Sequence, residues 1–334
     1  MRRLLSVLGV VLILTVAWVT PVAADPPSPA NPAGPPERIL GIVPVRDQAH
    51  AARPRRTSNL SYHLGPVMLT GNRTYTIFWA GSNANVNWGD STNAVPYIPT
   101  IQGYFANVAA DSGLHSNVYA TDTQYYNTSN THIAYLSRVG SSVTDTTQYP
   151  ANGCTDNATT ICLSDAQLQS ELLKVMTSNN WSAGSGSGVQ NLFFIFTPKG
   201  VGSCVGSSCA YTSYCAYHSW INGASGAILY ANQPYAAQNY SIYTCDSGQH
   251  PNGTTADATL NVVSHEHNEA ITDEQGSAWF DSQGAENGDK CAWNFGTVLG
   301  STTSGQYNQT IGTGKYYLQQ EWSNANTGCR LTYP

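Results

Sequence analysis

Asn261-Val262-Val263-Ser264-His265-Glu266-His267-Asn268-Glu269-Ala270-Ile271-Thr272-Asp273 is the stretch on which the reading of this chain turns. It continues an apolar-periodic run from Thr254 and is expected to be helical over 254–272. His265 and Glu269 are four residues apart, so both project from one helix face, one turn apart. An imidazole and a carboxylate at that spacing can grip one divalent ion. Glu266 stands at the edge of the same face, free to hold and deprotonate a water as a catalytic base. This is the logic of the H-E-x-x-H zinc helix, with glutamate in place of the second histidine. The substitution keeps zinc as the expected metal and opens the site to calcium as the alternative. His267 is expected to face away from His265, at the surface or the edge of the core.

A third ligand must come from elsewhere. Asp273 lies two turns from His265, about 12 Å along a straight helix, too far to share the ion. Gly284-Ala285-Glu286-Asn287-Gly288-Asp289-Lys290-Cys291 is the better source. Glu286 is assigned as ligand and Asp289 as the acid that orients the histidine, two roles the pair can exchange. His63 and His218 are held in reserve as ligand or oxyanion donor. Against the metal site stands a plainer reading, in which these groups are solvated on an exposed helix face.

Working outward, Thr74–Ala80 alternates as a half-buried strand, and Asn191–Thr197 reads as a buried one. Ala227–Tyr230, Asn117–Tyr126, His132–Arg138 and Tyr316–Trp322 are further expected strands. Pro99–Asp111 has helical spacing, and Ser164–Trp181 opens on a Ser164/Gln167 capping box. The sum is an α+β fold: one large disulfide-stapled domain over 58–334, with a zincin-like metal-binding helix packed on a mixed sheet.

The start of the chain points to export. Arg2 and Arg3 precede an apolar run over Leu4–Val19, followed by Val22, Ala23 and Ala24 before Asp25, the layout of a signal peptide over 1–24. An uncleaved anchor is the alternative, but the run is short for a span of about 20 residues. Residues 25–57, rich in proline, alanine and arginine, read as a linker or propeptide, with Arg53-Pro54-Arg55-Arg56 a candidate processing site. Eight cysteines, all beyond residue 150, suit up to four bridges in an exported protein. Cys154–Cys162 and Cys291–Cys329 are the expected pairs. Residues 1–57 hold seven of the fourteen basic residues, leaving seven basic against seventeen acidic ones in the body. That balance argues against nucleic acid as a partner, and no later segment suits stable membrane insertion.

Several segments together resemble the phosphate-induced-protein, or EXORDIUM-like, family. Tyr62-His63-Leu64-Gly65-Pro66 resembles its opening segment, and Cys215-Ala216-Tyr217-His218 its middle stretch. Ser264-His265-Glu266 through Glu269 matches the helix of its microbial members, and Trp279-Phe280-Asp281 with Glu286–Cys291 completes the order. The resemblance implies two functions. One is a secreted zinc peptidase with Glu266 as general base, acting on a peptide or protein substrate. The other is a non-enzymatic extracellular or cell-wall-associated factor, with glycans as partners and a structural metal or carboxylate cluster.

Overall fold

The computed structural model describes residues 40–46, 58–82, 88, 96–184, 188–238 and 244–333. The expected signal peptide and most of the linker lie outside them. All belong to the unit Ala33–Pro334.

Six strands form the central sheet: β1 (Leu40–Pro44), β2 (Asn72–Trp79), β3 (Ser137–Asp145), β4 (Gln190–Phe196), β5 (Tyr214–Gly223) and β6 (Gly226–Gln233). Their order across the sheet is β1-β5-β6-β4-β2-β3. β3, β2, β4 and β6 run parallel, whereas β5 and β1 are antiparallel to their neighbours. β4 lies inside the sheet with both faces covered, which explains its unbroken apolar run from Leu192 to Phe196.

Three helices cover the sheet: α1 (Tyr97–Ala110), α2 (Asp165–Ser178) and α3 (Ala256–Thr272). One apolar cluster joins Phe78, Phe194 and Leu229 to Ile101 and Phe105 of α1 and Leu260 and Val263 of α3. A second joins Ile77, Phe193, Ile195 and Ile228 to Leu168, Leu172 and Val175 of α2. The α2 capping box forms as expected: Ser164 accepts from the Gln167 main chain, and the Gln167 side chain accepts from Ser164 N–H. The fold is thus α+β with a mixed sheet. Among the described residues no helix is long and apolar enough to cross a membrane.

All eight cysteines are paired: Cys154–Cys162, Cys204–Cys209, Cys215–Cys245 and Cys291–Cys329. Four such bridges suit an oxidising compartment.

Several local expectations are corrected. Asn117–Tyr126 is not a strand; Val118–Gln124 forms a 3-10 helix capped by the Asn117 side chain on Tyr119 N–H. Short polar residues compete for the main chain there and favour a turn. Within His132–Arg138 only the end is a strand, because β3 begins at Ser137. Tyr316–Trp322 is split between Gly314–Tyr316 and Glu321–Ser323. The largest correction concerns 25–57. Residues 40–44 of that stretch are an edge strand of the main sheet, with Val43 and Val45 fully buried. The described fold therefore includes residues upstream of 58.

Candidate metal centre

α3 is buried along its whole length although most of its residues in the second half are polar. It lies across β1, β5 and β6, with α1 beside it. A helix so polar and so enclosed must find partners inside the protein. His267 does: its two ring nitrogens meet Tyr119 Oη and Asn72 Oδ1, each at 3.0 Å. It is a core residue, not the surface or core-edge one expected.

On the opposite face the groups converge without saturating one another. His265 Nε2 lies 3.0 Å from Glu269 Oε1 and 3.8 Å from Asp289 Oδ1. His265 Nε2 nevertheless has no hydrogen-bond partner, because the 3.0 Å approach lacks hydrogen-bond geometry. Two donors each about 2.1 Å from a tetrahedral ion lie about 3.4 Å apart, so these spacings suit shared ligation. His265, Glu269 and Asp289 form one group able to hold a metal, and His218, Glu266 and Glu269 form another.

His218 comes from the middle of β5. Side chains alternate across a strand, so Tyr217 reaches Asp165 of α2 at 2.6 Å while His218 faces α3. Its Nδ1 is 3.1 Å from Glu266 Oε2 and 3.8 Å from Glu269 Oε2. Its Nε2 lies 3.3 Å from the Asp273 carbonyl and 3.8 Å from Glu286 Oε1. His63, the other reserve candidate, is exposed, stacked on Phe280 at 3.6 Å.

The turn bearing Glu286 and Asp289 is held from three sides. Lys290 Nζ pairs with Asp281 Oδ2 at 2.8 Å and lies over the Trp322 ring. The Cys291–Cys329 bridge ties it to the C-terminal segment. Asp289 N–H donates to Glu269 Oε1 at 2.8 Å. Gly288 permits this approach, since a Cβ there would sit 2.9 Å from His265 Nδ1 and 3.0 Å from Glu269 Oε1.

The two carboxylates of this turn divide differently from the expected assignment. Asp289 joins His265 and Glu269, whereas Glu286 faces His218 and accepts from Gly41 N–H at 2.8 Å. Spacing along a loop could not decide which of the two lies beside His265. Gln319, absent from the sequence reading, meets His265 Nδ1 with its side-chain amide and donates to the Gly288 carbonyl. With the amide nitrogen at Nδ1, the ring proton sits on Nε2. Rotating the amide by 180° would let Oε1 accept from Nδ1–H and free the Nε2 lone pair for a metal.

Burial sets the charge state of the cluster. It drives the Glu266, Glu269 and Glu286 carboxyls well above their ordinary range, and neighbouring carboxylates push them further. It also pushes His218 down to about 3, and His265 to about 4 although Asp289 opposes the fall. The imidazoles are thus neutral and the carboxyls cannot all ionise without a compensating cation. Unpartnered Glu266 Oε1, Glu269 Oε2 and Glu286 Oε1 add to the deficit. Nitrogen and carboxylate donors together fit a divalent metal, which would displace the held protons. Asp289 alone among these groups keeps some exposure.

No protein-family model matches the chain, and no curated protein or solved structure matches it either.

Proposed function

We propose that the protein is a secreted metal-dependent hydrolase, specifically a zinc peptidase in which Glu266 is the general base. The observation that carries this reading is the convergence of His265 Nε2, Glu269 Oε1 and Asp289 Oδ1 beside a buried Glu266. A zinc ion held by His265, Glu269 and Asp289 would polarise the scissile carbonyl and lower the pKa of water. Glu266 takes the proton from the attacking water as its oxygen adds to the carbonyl carbon. It then returns that proton to the leaving amine nitrogen as the C–N bond breaks. His218, with Nδ1 3.1 Å from Glu266 Oε2, fixes the orientation of that side chain. Resemblance to the EXORDIUM-like family accords with the same helix and with an extracellular setting.

A second reading has its own observation. His218, His265, Glu266 and Glu269 are fully buried, as a structural metal or carboxylate cluster would be in a non-enzymatic extracellular factor. Calcium is the alternative ion in that case. Digestion of a peptide library by wild type and Glu266→Gln, with and without chelator, separates the two. The hydrolase reading expects chelator-sensitive cleavage that falls 10²–10⁴-fold in the variant, roughly, at unchanged metal content. Undiminished cleavage in the variant overturns the base role.

A further inference from the structure

β1 lies against the cluster at Gly41. It pairs antiparallel with β5 at the sheet edge, Leu40 opposite His218 and Ile42 opposite Tyr217, with a register break at Gly41. There the main chain turns into the site. Gly41, at φ +38°, donates its N–H to Glu286 Oε2 at 2.8 Å. A Cβ on Gly41 would stand 2.1 Å from Glu269 Oε2 and 2.2 Å from His218 Nδ1, so no side chain fits. One extended segment thus donates to Glu286 and lies directly against Glu269 and His218.

Among the described residues β1 has β5 as its one strand neighbour, so no other described strand of the sheet rests on it. It is anchored by Val43 and Val45 in the core, by Trp293 Nε1 on the Pro44 carbonyl at 2.7 Å, and by Arg46 N–H on Thr244 O. An extended chain added to a sheet edge draws affinity from main-chain hydrogen bonds and specificity from alternate side chains.

We propose that the β5 edge is a binding groove for an extended peptide, and that residues 40–44 fill it as an internal ligand that closes the site. The partner class is a polypeptide pairing antiparallel to β5, with glycine at the residue that faces Glu269 and His218. As a substrate groove this rests on the hydrolase reading; as a peptide groove it stands without it. Withdrawal of β1 opens the cluster to solvent and frees the β5 edge for the incoming chain.

The test uses the full chain and its Gly41→Val variant, in which the added side chain has no room. Hydrogen exchange reports whether amides 41–43 are released, and a labelled peptide of sequence LGIVPVR, residues 40–46, reports the groove by anisotropy. Expected are fast exchange in the variant, peptide binding to the variant at least tenfold tighter than to wild type, and cleavage at least tenfold faster. Peptide binding to the opened chain without any cleavage would sustain the groove and sink the hydrolase. Released amides with no peptide binding in either preparation would overturn the proposal.

Discussion

Glu266 Oε2 sits 3.1 Å from His218 Nδ1, a contact that joins α3 to the middle of β5 across 48 residues of sequence. Because burial keeps that imidazole neutral and its Nε2 faces the Asp273 carbonyl, which can only accept, the contact is a hydrogen bond from the protonated Glu266 carboxyl to the Nδ1 lone pair. It orients Glu266 without adding charge. His218→Ala is therefore expected to leave metal content near that of wild type while lowering peptide cleavage about 100-fold, seen in kcat. Loss of the metal in this variant would move His218 from an orienting role to a ligand.

Gln319 is expected to tune His265 through the ring nitrogen away from Glu269. Gln319→Ala removes the partner that can accept from Nδ1–H, and metal affinity should fall about 10–100-fold. Titration against a chromophoric chelator measures it. Affinity equal to wild type would show that the amide does not set the tautomer.

The Cys291–Cys329 bridge closes a separation of 38 residues and holds the turn bearing Asp289. Replacing both cysteines by alanine should cost about 3–4 kcal/mol of stability. A urea midpoint gives the stability. A metal affinity that falls as well would separate loss of the turn from a uniform loss of chain entropy.

Much of this was legible locally. The i,i+4 pair His265 and Glu269, the capping box at Ser164 and the buried run of β4 are short-range patterns, and each appears where its spacing put it. What was not legible depended on tertiary placement. β1 lies in a proline- and arginine-rich stretch whose composition resembles a linker, and only pairing with β5 gives Val43 and Val45 a place to be buried. Glu286 and Asp289 are three residues apart on one turn, so which of them lies beside Gly41 and which beside His265 depended on how the turn packs. His218 did carry a signal, since Tyr214–Ile221 is rich in aromatic and β-branched residues of a long strand. Gln319 carried none, because a lone glutamine near the C-terminus has no pattern to read.

Stability should also depend on pH at a second carboxylate pair, remote from the cluster. Lys174 Nζ lies 2.7 Å from Glu171 Oε1 and 2.8 Å from Asp145 Oδ2. Burial pushes Glu171 up to about 7, reinforced by Asp145 and opposed by Lys174. Burial would raise Asp145 too, but hydrogen bonds from Glu171, Lys174 and Thr147 outweigh it and hold that carboxyl below its usual range. Folded Glu171 thus keeps a proton that the unfolded chain releases near pH 4.5. Its contribution is full below that pH and is lost as pH rises through about 7. Asp145 acts in the opposite sense, its contribution being lost only as pH falls through its lowered value. Glu171→Gln keeps a neutral donor at every pH, so its urea midpoint relative to wild type should rise between about pH 5 and pH 8. Parallel profiles would show that Glu171 is ionised in the folded protein.

The measurement closest to the heart of the account is metal content. The full chain, exposed to zinc and desalted, should retain one equivalent of a divalent ion, and the His265→Ala, Glu269→Gln double variant should retain none. Equal retention by both proteins, or none by either, would mean that His265, Glu269 and Asp289 gather in the interior for some purpose other than holding a cation.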